Sequence, residues 1–189
     1  GVPVFTLLGE DVILDESNYL VTRLDAESGA VVWSTDATVL DAVLWMQSTD
    51  KGDILVNGFD RWGKLDGATG NLLWSGSSPA LTCQPMRCSN PKTVALPDGD
   101  LLQVSSRVAS TGGTEPMVAL LHTDGSGTYE LWFPNSGVGT RSRIHSVEVD
   151  SQGEIWMHMN EWVDGGRIPL RWLTKFDLET GTLTGRQAF

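Results

Sequence analysis

The chain has 189 residues, of which 40% are hydrophobic, and this length is enough for one domain with a sizeable core. Its net charge of −11, from 24 acidic and 13 basic residues, argues against binding to nucleic acid or to an anionic membrane surface. No apolar run approaches the roughly 18 residues of a membrane-spanning helix. The scarcity of Lys and the abundance of Asp, Ser, Thr, Gly and Trp indicate a secreted, periplasmic or cell-surface protein.

The first 36 residues predict four short strands, with a distinctive turn before the fourth. Residues 24–33 read LDAESGAVVW. The carboxylate of Asp25 can accept hydrogen bonds from the turn amides, and Gly29 can take the positive φ that closes such a turn. The expected strands are Val2 to Leu8, Val12 to Leu14, Tyr19 to Leu24 and Ala30 to Ser34.

The same phrase returns in a second unit, residues 37–77, where residues 65–74 read LDGATGNLLW. The first strand of this unit is expected at Asp41 to Gln47, although Val39 to Met46 taken alone also fits a helical turn. A hairpin turn at Asp50 to Asp53 then leads into a strand at Ile54 to Val56.

Two weaker copies mark a third unit, residues 78–135, and a fourth, residues 136–189. They read TDGSGTYELW from residue 123 and FDLETGTL from residue 176. The third unit opens with a loop in which Cys83 and Cys88 are expected to form a disulfide in an oxidising compartment, two free thiols being the alternative. In the fourth unit Gly185 stands where a Trp is expected, so its outer strand is atypical.

Four copies of one hairpin predict a β-propeller, an all-β fold of four-stranded antiparallel blades in one domain over residues 1–189. Each blade exposes an apolar side that a neighbouring blade must cover, and large aromatic residues are suited to fill the space between blades. The residues expected there are Trp33, Trp74 and Trp132, and the turn glycines expected to have positive φ are Gly29, Gly70 and Gly181.

The phrase Leu-Asp-x-x-Ser/Thr-Gly-x-x-x-Trp of the first two units resembles the repeat of the quinoprotein-like (PQQ-like) β-propellers. The resemblance extends in weaker form over nearly the whole chain. It implies the propeller fold, but its members range from quinone-dependent alcohol dehydrogenases to an outer-membrane assembly lipoprotein and secreted repeat proteins. Because such rings have about seven or eight blades, four blades imply a fragment of a larger ring, assembly with another copy, or a small closed propeller.

The resemblance also bears on whether the chain binds a quinone cofactor or calcium. The dehydrogenases carry a disulfide between adjacent cysteines above their quinone, whereas Cys83 and Cys88 are not adjacent, so no PQQ is expected. Calcium is the alternative, in acid-rich turns that lack the ligand density of a dedicated calcium loop. Those turns hold Asp50 with Asp53, Asp98 with Asp100, and Asp150 with Glu154. No metal site is predicted from the scattered histidines, which are His122, His145 and His158.

The most site-like stretch is a basic cluster formed by Arg141, Arg143 and His145. It lies where the first strand of unit four begins, and in a propeller that strand is innermost, which predicts a position at the mouth of the central channel. Two guanidiniums and an imidazole there could bind sulfate, phosphate or carboxylate. The alternative is that both arginines pair with acids of a neighbouring blade. His158, in an apolar strand, is expected to be a hydrogen-bonded core residue.

These observations predict a non-enzymatic interaction or structural module of a secreted or surface assembly. Its partner is expected to be another protein or a second copy, bound through the terminal blades, because a half ring leaves apolar faces uncovered beside units one and four. The alternative is an enzyme that resembles the arylsulfotransferase-like propellers or a degenerate quinoprotein, with the anion site at the channel mouth.

Overall fold

A computed structural model describes residues 4–15, 19–40, 43–58, 61–77, 92–108, 114–134, 141–162 and 168–188. The expected disulfide between Cys83 and Cys88 falls outside these residues. By its contacts the chain divides into two compact units, and each of them is larger than any one of the four repeat units, one to four, defined by the sequence. The first comprises residues 1–78 with residues 122–128, and the second comprises residues 79–121 with residues 129–189.

The first unit contains two four-stranded antiparallel sheets, each with its strands in sequence order. Sheet one consists of β1 (Phe5–Leu8), β2 (Asp11–Asp15), β3 (Leu20–Leu24) and β4 (Val31–Asp36). Sheet two follows a short 3-10 helix (Thr38–Leu40) and consists of β5 (Trp45–Ser48), β6 (Ile54–Asn57), β7 (Arg61–Leu65) and β8 (Leu72–Ser77).

The second unit contains two further sets of four strands. The third set is β9 (Lys92–Ala95), β10 (Leu101–Val108), β11 (Thr114–Leu121) and β12 (Tyr129–Trp132). The fourth set is β13 (Arg141–Val149), β14 (Ile155–Trp162), β15 (Leu170–Asp177) and β16 (Thr182–Ala188). One parallel bridge, between Thr114 and Arg141, joins the two sets into a continuous sheet. The predicted all-β fold of four-stranded antiparallel sheets is confirmed.

The start of the second sheet differs from the prediction of a strand at Asp41 to Gln47. The strand β5 begins only at Trp45, and a 3-10 turn precedes it at Thr38–Leu40. The carboxylate of Asp36 accepts a hydrogen bond from the amide of Thr38, 2.8 Å away, which stabilises this turn. Leu40, which belonged to the alternative of a helical turn at Val39 to Met46, ends this 3-10 turn and is fully buried.

Each unit has its own apolar core. In the first unit the buried residues are Ile13, Val21, Ala37, Leu40, Val43, Met46, Ile54, Val56 and Leu65. In the second unit they are Leu96, Leu102, Val104, Val118, Ile144, Val147, Ile155, Met157, Met159 and Phe176. In sheet one and in the fourth set of strands, one side faces the core and the other side is more exposed, so a surface for a partner or ligand can form there.

The repeated turn has the expected geometry. Gly29, Gly70 and Gly181 have φ values of +69°, +75° and +66°, as predicted. In the second copy one carboxylate oxygen of Asp66 accepts hydrogen bonds from the amides of Ala68 and Thr69, at 3.0 and 2.7 Å. These bonds use the turn's backbone donors and fix its shape.

The predicted tryptophans lie against the turn glycines of the following repeats. The indole of Trp33 packs so close to Gly70 that a Cβ on this glycine would come within 2.7 Å of the ring. The equivalent distances are 3.5 Å between Trp74 and Gly125 and 2.0 Å between Trp132 and Gly181. Each turn therefore needs glycine both for its backbone angle and, at Gly70 and Gly181, for the space that the indole occupies.

Candidate anion site on the fourth sheet

The strand β13 presents the predicted anion-binding residues on one side. Arg141 and Arg143 are exposed and alternate with Ser142 and Ile144, which are buried. Since successive side chains of a strand point to opposite faces, the alternation places the two arginines together on the side that faces away from the core.

A bulge gives His145 its position. The register shifts between Ile144 and Ser146, so His145 is an extra residue and Ser146 lies opposite His158. The bulge also returns Val147 to the core side, where strict alternation would have placed it outward. The rings of His145 and His158 lie with their centroids 5.2 Å apart.

The neighbouring strands complete the surface. Arg143 lies opposite Asn160 of β14, and Asn160 lies opposite Arg171 of β15, so the three form a row across the sheet. Arg141 lies opposite Trp162, and its guanidinium carbon is 5.5 Å from the centre of that ring, which is a cation–π contact. We call this surface the basic face and define it by its seven residues, which are Arg141, Arg143, His145, His158, Asn160, Trp162 and Arg171.

The basic face is electrostatically uncompensated within the described part of the chain. There, none of Arg141, Arg143 and Arg171 forms an ion pair, whereas Arg23, Lys64, Lys175 and Arg186 each do. The expected alternative, in which Arg141 and Arg143 pair with acids of a neighbouring blade, is therefore not seen among these residues. Three guanidiniums on one side of a sheet create a local positive field on an acidic protein.

The pKa of His145 lies below its ordinary value of about 6.5. Partial loss of hydration of the ring contributes most to the lowering, and repulsion from His158, Arg143, Arg171 and Lys92 adds to it. Near pH 7 this imidazole is therefore mainly neutral and can accept a hydrogen bond or a proton. A bound anion would oppose the repulsion and raise this pKa.

The sequence predicted only part of the basic face. The structure brings the three predicted residues together, but Arg171, Asn160 and Trp162 were missed because they lie on other strands. His158, predicted to be a hydrogen-bonded core residue, is half-buried and lies on the side of β14 opposite the buried Met157 and Met159, outside the apolar core. The alternation Trp156, His158, Asn160, Trp162 along β14 was the available signal.

The expectation of apolar terminal blades holds only in part for unit four. Its outward side carries Trp156, Trp162 and Leu173, but the pairing of β13, β14 and β15 places arginine and histidine among them. The outward side of unit one does match the expectation. Phe5 and Leu7 are 68% and 54% exposed, and their partners across β2 are Leu14 and Val12.

In the acid-rich turns considered for calcium, carboxylate oxygens accept hydrogen bonds or form ion pairs within the chain. Asp150 accepts hydrogen bonds from the amides of Gln152 and Glu154 through one oxygen, and from the indole of Trp156 through the other. Asp53 pairs with Lys64 at 2.6 Å. The described residues contain no group of three or more His, Cys, Asp or Glu side chains arranged to hold a metal ion.

No helix among the described residues is both long and apolar enough to cross a membrane. No protein-family model and no curated protein sequence matches the chain.

Solved structures, in contrast, resemble it over nearly its whole length. The quinohemoprotein alcohol dehydrogenase from Comamonas testosteroni has a TM-score of 0.62 at 14% identity, over 99% of this chain and 35% of that one. BamB from Moraxella catarrhalis has a TM-score of 0.58 at 15% identity, over 98% of this chain and 52% of that one. The extracellular domain of the putative one component system BT4673 from B. thetaiotaomicron has a TM-score of 0.57 at 15% identity, over 98% of this chain and 22% of that one.

These similarities, together with the repeated four-stranded sheets, show that the chain has a β-propeller fold. The chain spans about half or less of the length of each of these three structures. At such low identity the likeness defines the fold and leaves the activity to be argued from the residues themselves.

Proposed function

We propose that the chain is a non-enzymatic β-propeller module that binds a protein partner, or a second copy of itself, through a terminal blade. The observation that carries this proposal is the outward side of sheet one. Its inward side is closed, because Ile13 and Val21 are fully buried in the core. Its outward side leaves the large side chains of Phe5 and Leu7 mostly in solvent.

The strand register makes this outward side one continuous apolar surface. Phe5 lies opposite Leu14, Leu7 lies opposite Val12, and Val12 in turn lies opposite Leu24. Five large apolar side chains on one side of a sheet form the kind of patch that is usually covered by another protein surface. Covering them would remove apolar area from water, which is the main driving force of association.

We further propose a secreted, periplasmic or cell-surface location and membership of the quinoprotein-like repeat family. The repeated phrase with its docked tryptophans supports the family, and a resemblance to an extracellular propeller domain supports the location. We also propose that the module works without a cofactor, with calcium as the alternative.

Site-specific photo-cross-linking in the native host tests the partner surface. A photoreactive residue at position 7 should give one discrete cross-linked species, and the additional change Phe5→Ser should abolish it. The matched control is position 73, because Leu73 is 49% exposed but lies on β8 in sheet two. Equal cross-linking from positions 7 and 73, or none from position 7, would contradict a specific partner at sheet one.

A second candidate function, an anion-handling enzyme of the arylsulfotransferase-like kind, is favoured by His145 and its neighbours. A mainly neutral imidazole beside Arg143 can take a proton while guanidiniums stabilise negative charge on a transferred sulfuryl group. Turnover of an aryl sulfate that is lost in His145→Ala and kept in Arg61→Gln would support the enzyme and refute the non-enzymatic proposal. Arg61 is an exposed arginine of sheet two.

A further inference from the structure

We propose that the basic face is a docking surface for a compact acidic patch on a partner protein. This inference rests on the proposed function, since it assigns the chemistry of the partner that one terminal blade would bind. An apolar surface was expected on this side of unit four, and the structure places guanidiniums and imidazoles there among Trp156, Trp162 and Leu173. A charged terminal face selects a partner by charge rather than by apolar area alone.

The arginines of this face lack the ion pair that a cation on the same side of β15 has. Lys175 also points to the outward side of β15, since it lies opposite Trp156, but it is paired with Glu154. Arg143 and Arg171 have no such partner among the described acids. Carboxylates of a partner can therefore pair with these arginines without displacing an existing ion pair, and bidentate pairing suits guanidinium groups.

The extent of the positive surface indicates a compact partner patch. On the same side of the sheet, Glu148 lies opposite Trp156, which is two residues from His158 along β14. An acidic side chain therefore borders the basic face. The chain as a whole carries −11 charges. A long polyanion such as nucleic acid would extend from the basic face onto acidic surroundings and be repelled, whereas a small group of carboxylates would not.

Exposure of the side chains indicates a protein surface rather than a small anion. Arg141, Arg143, His145 and Arg171 are all exposed, so water competes with any small ion that they hold. A protein surface that covered them would exclude this water and strengthen each ion pair. Trp162, with Arg141 over its ring, adds an aromatic contact of the kind that is enriched at protein interfaces.

Binding of a short fluorescein-labelled poly-glutamate peptide, measured by fluorescence anisotropy, tests this inference. The wild-type chain should bind it, and Arg143→Gln/Arg171→Gln should raise Kd about tenfold, because two charge-assisted contacts are lost. Arg61→Gln is the matched control, since it removes one exposed arginine from sheet two, and it should leave Kd unchanged. Circular dichroism checks that each variant keeps the fold.

Three results would overturn the inference: no binding by the wild type, an equal loss in Arg61→Gln, or displacement of the peptide by sodium sulfate well beyond the effect of NaCl at equal ionic strength. The last result would indicate a small-anion site. Loss of the peptide interaction alone leaves the cross-link at position 7 intact, because that readout depends on sheet one. The failure of the docking inference and the failure of the proposed function are thereby distinguished.

Discussion

The indole N–H of Trp33 donates a hydrogen bond to the carbonyl oxygen of Gly67, 3.0 Å away, and so links the last strand of sheet one to the repeated turn of sheet two. The same carbonyl accepts a second hydrogen bond from the guanidinium of Arg23, at 2.6 Å. Arg23 is itself held by Asp11 through two contacts of 2.7 Å. The turn of one repeat is thus fixed, at the buried Gly67, by side chains of the preceding repeat.

Gly70→Ala should destabilise the fold far more than Gly29→Ala. Both residues have positive φ, so each alanine carries a backbone cost of about 1 kcal/mol. At Gly29 the new Cβ meets nothing within 4 Å, whereas at Gly70 it would lie 2.5 Å from the hydroxyl of Thr35 and 2.7 Å from Trp33.

We therefore expect a loss of about 3 kcal/mol in the free energy of unfolding for Gly70→Ala, measured by urea denaturation with unchanged m-values. Equal losses in the two variants would show that the indole does not occupy the space above Gly70.

Replacing Trp33 and Arg23 together should cost more than the sum of the single changes. Trp33→Phe removes one donor from the carbonyl of Gly67, and Arg23→Gln removes the other, so each single variant leaves that buried group with one hydrogen bond. The double variant leaves it without either, at a further cost of about 1–2 kcal/mol. A double-mutant cycle of unfolding free energies measures this coupling, and strict additivity would contradict a shared acceptor.

The repeated turn was predictable because its geometry is local. An Asp that accepts hydrogen bonds from amides two and three residues later, and a Gly at positive φ, are properties of a few consecutive residues. The tryptophan positions followed from the repeat, and the contacts of Trp33 with Gly70 and Trp132 with Gly181 confirm them. The unusual fourth repeat was also visible, and Gly185 indeed has φ of +59°, an angle that tryptophan rarely adopts.

Longer-range features were not predictable. The sequence predicted that the strand from Leu101 ends at Ser105 and that the first strand of unit four begins at Ile144. The strands β10 and β13 are longer and include Ser106 and Ser142, which are polar but buried. The side of the sheet on which Arg171 lies depends on the register of β15 with β14, and no local pattern fixes that register. The basic face could therefore be anticipated on β13 only.

Arg186→Met should destabilise the second compact unit, which contains β9 to β16, through its effect on Glu161. The carboxylate of Glu161 is 1% exposed and lies 3.4 Å from the guanidinium of Arg186, which also lies over the ring of Trp172. Removing the arginine leaves a buried carboxylate without its cation, at a cost of about 3 kcal/mol. The double variant Arg186→Met/Glu161→Gln should recover most of this loss in urea denaturation. If the double variant recovers no stability, the loss comes from poor packing of the introduced methionine on Trp172 and not from the unpaired charge of Glu161.

The turn carboxylates should make the stability of the protein fall in acid. The pKa of Asp66 lies below its ordinary value because it accepts hydrogen bonds from the amide of Thr69, from the hydroxyl of the same residue and from the amide of Ala68. A group whose pKa is lowered on folding contributes stability above its unfolded pKa of about 3.9, and this contribution is lost as pH falls through its folded pKa. The acid-sensitive window for Asp66 therefore begins just below about pH 5 and continues to lower pH.

Asp66→Asn keeps an oxygen that can accept the turn amides but removes the titration. The urea midpoint of the wild type should therefore fall more steeply between about pH 5 and pH 3 than that of Asp66→Asn. Thr69→Val removes only the hydroxyl donor, so the pKa of Asp66, followed by NMR of its side-chain carbonyl carbon, should move part of the way back toward its ordinary value. An identical pH dependence in the wild type and Asp66→Asn would show that the hydrogen bonds of this turn do not favour the ionised carboxylate.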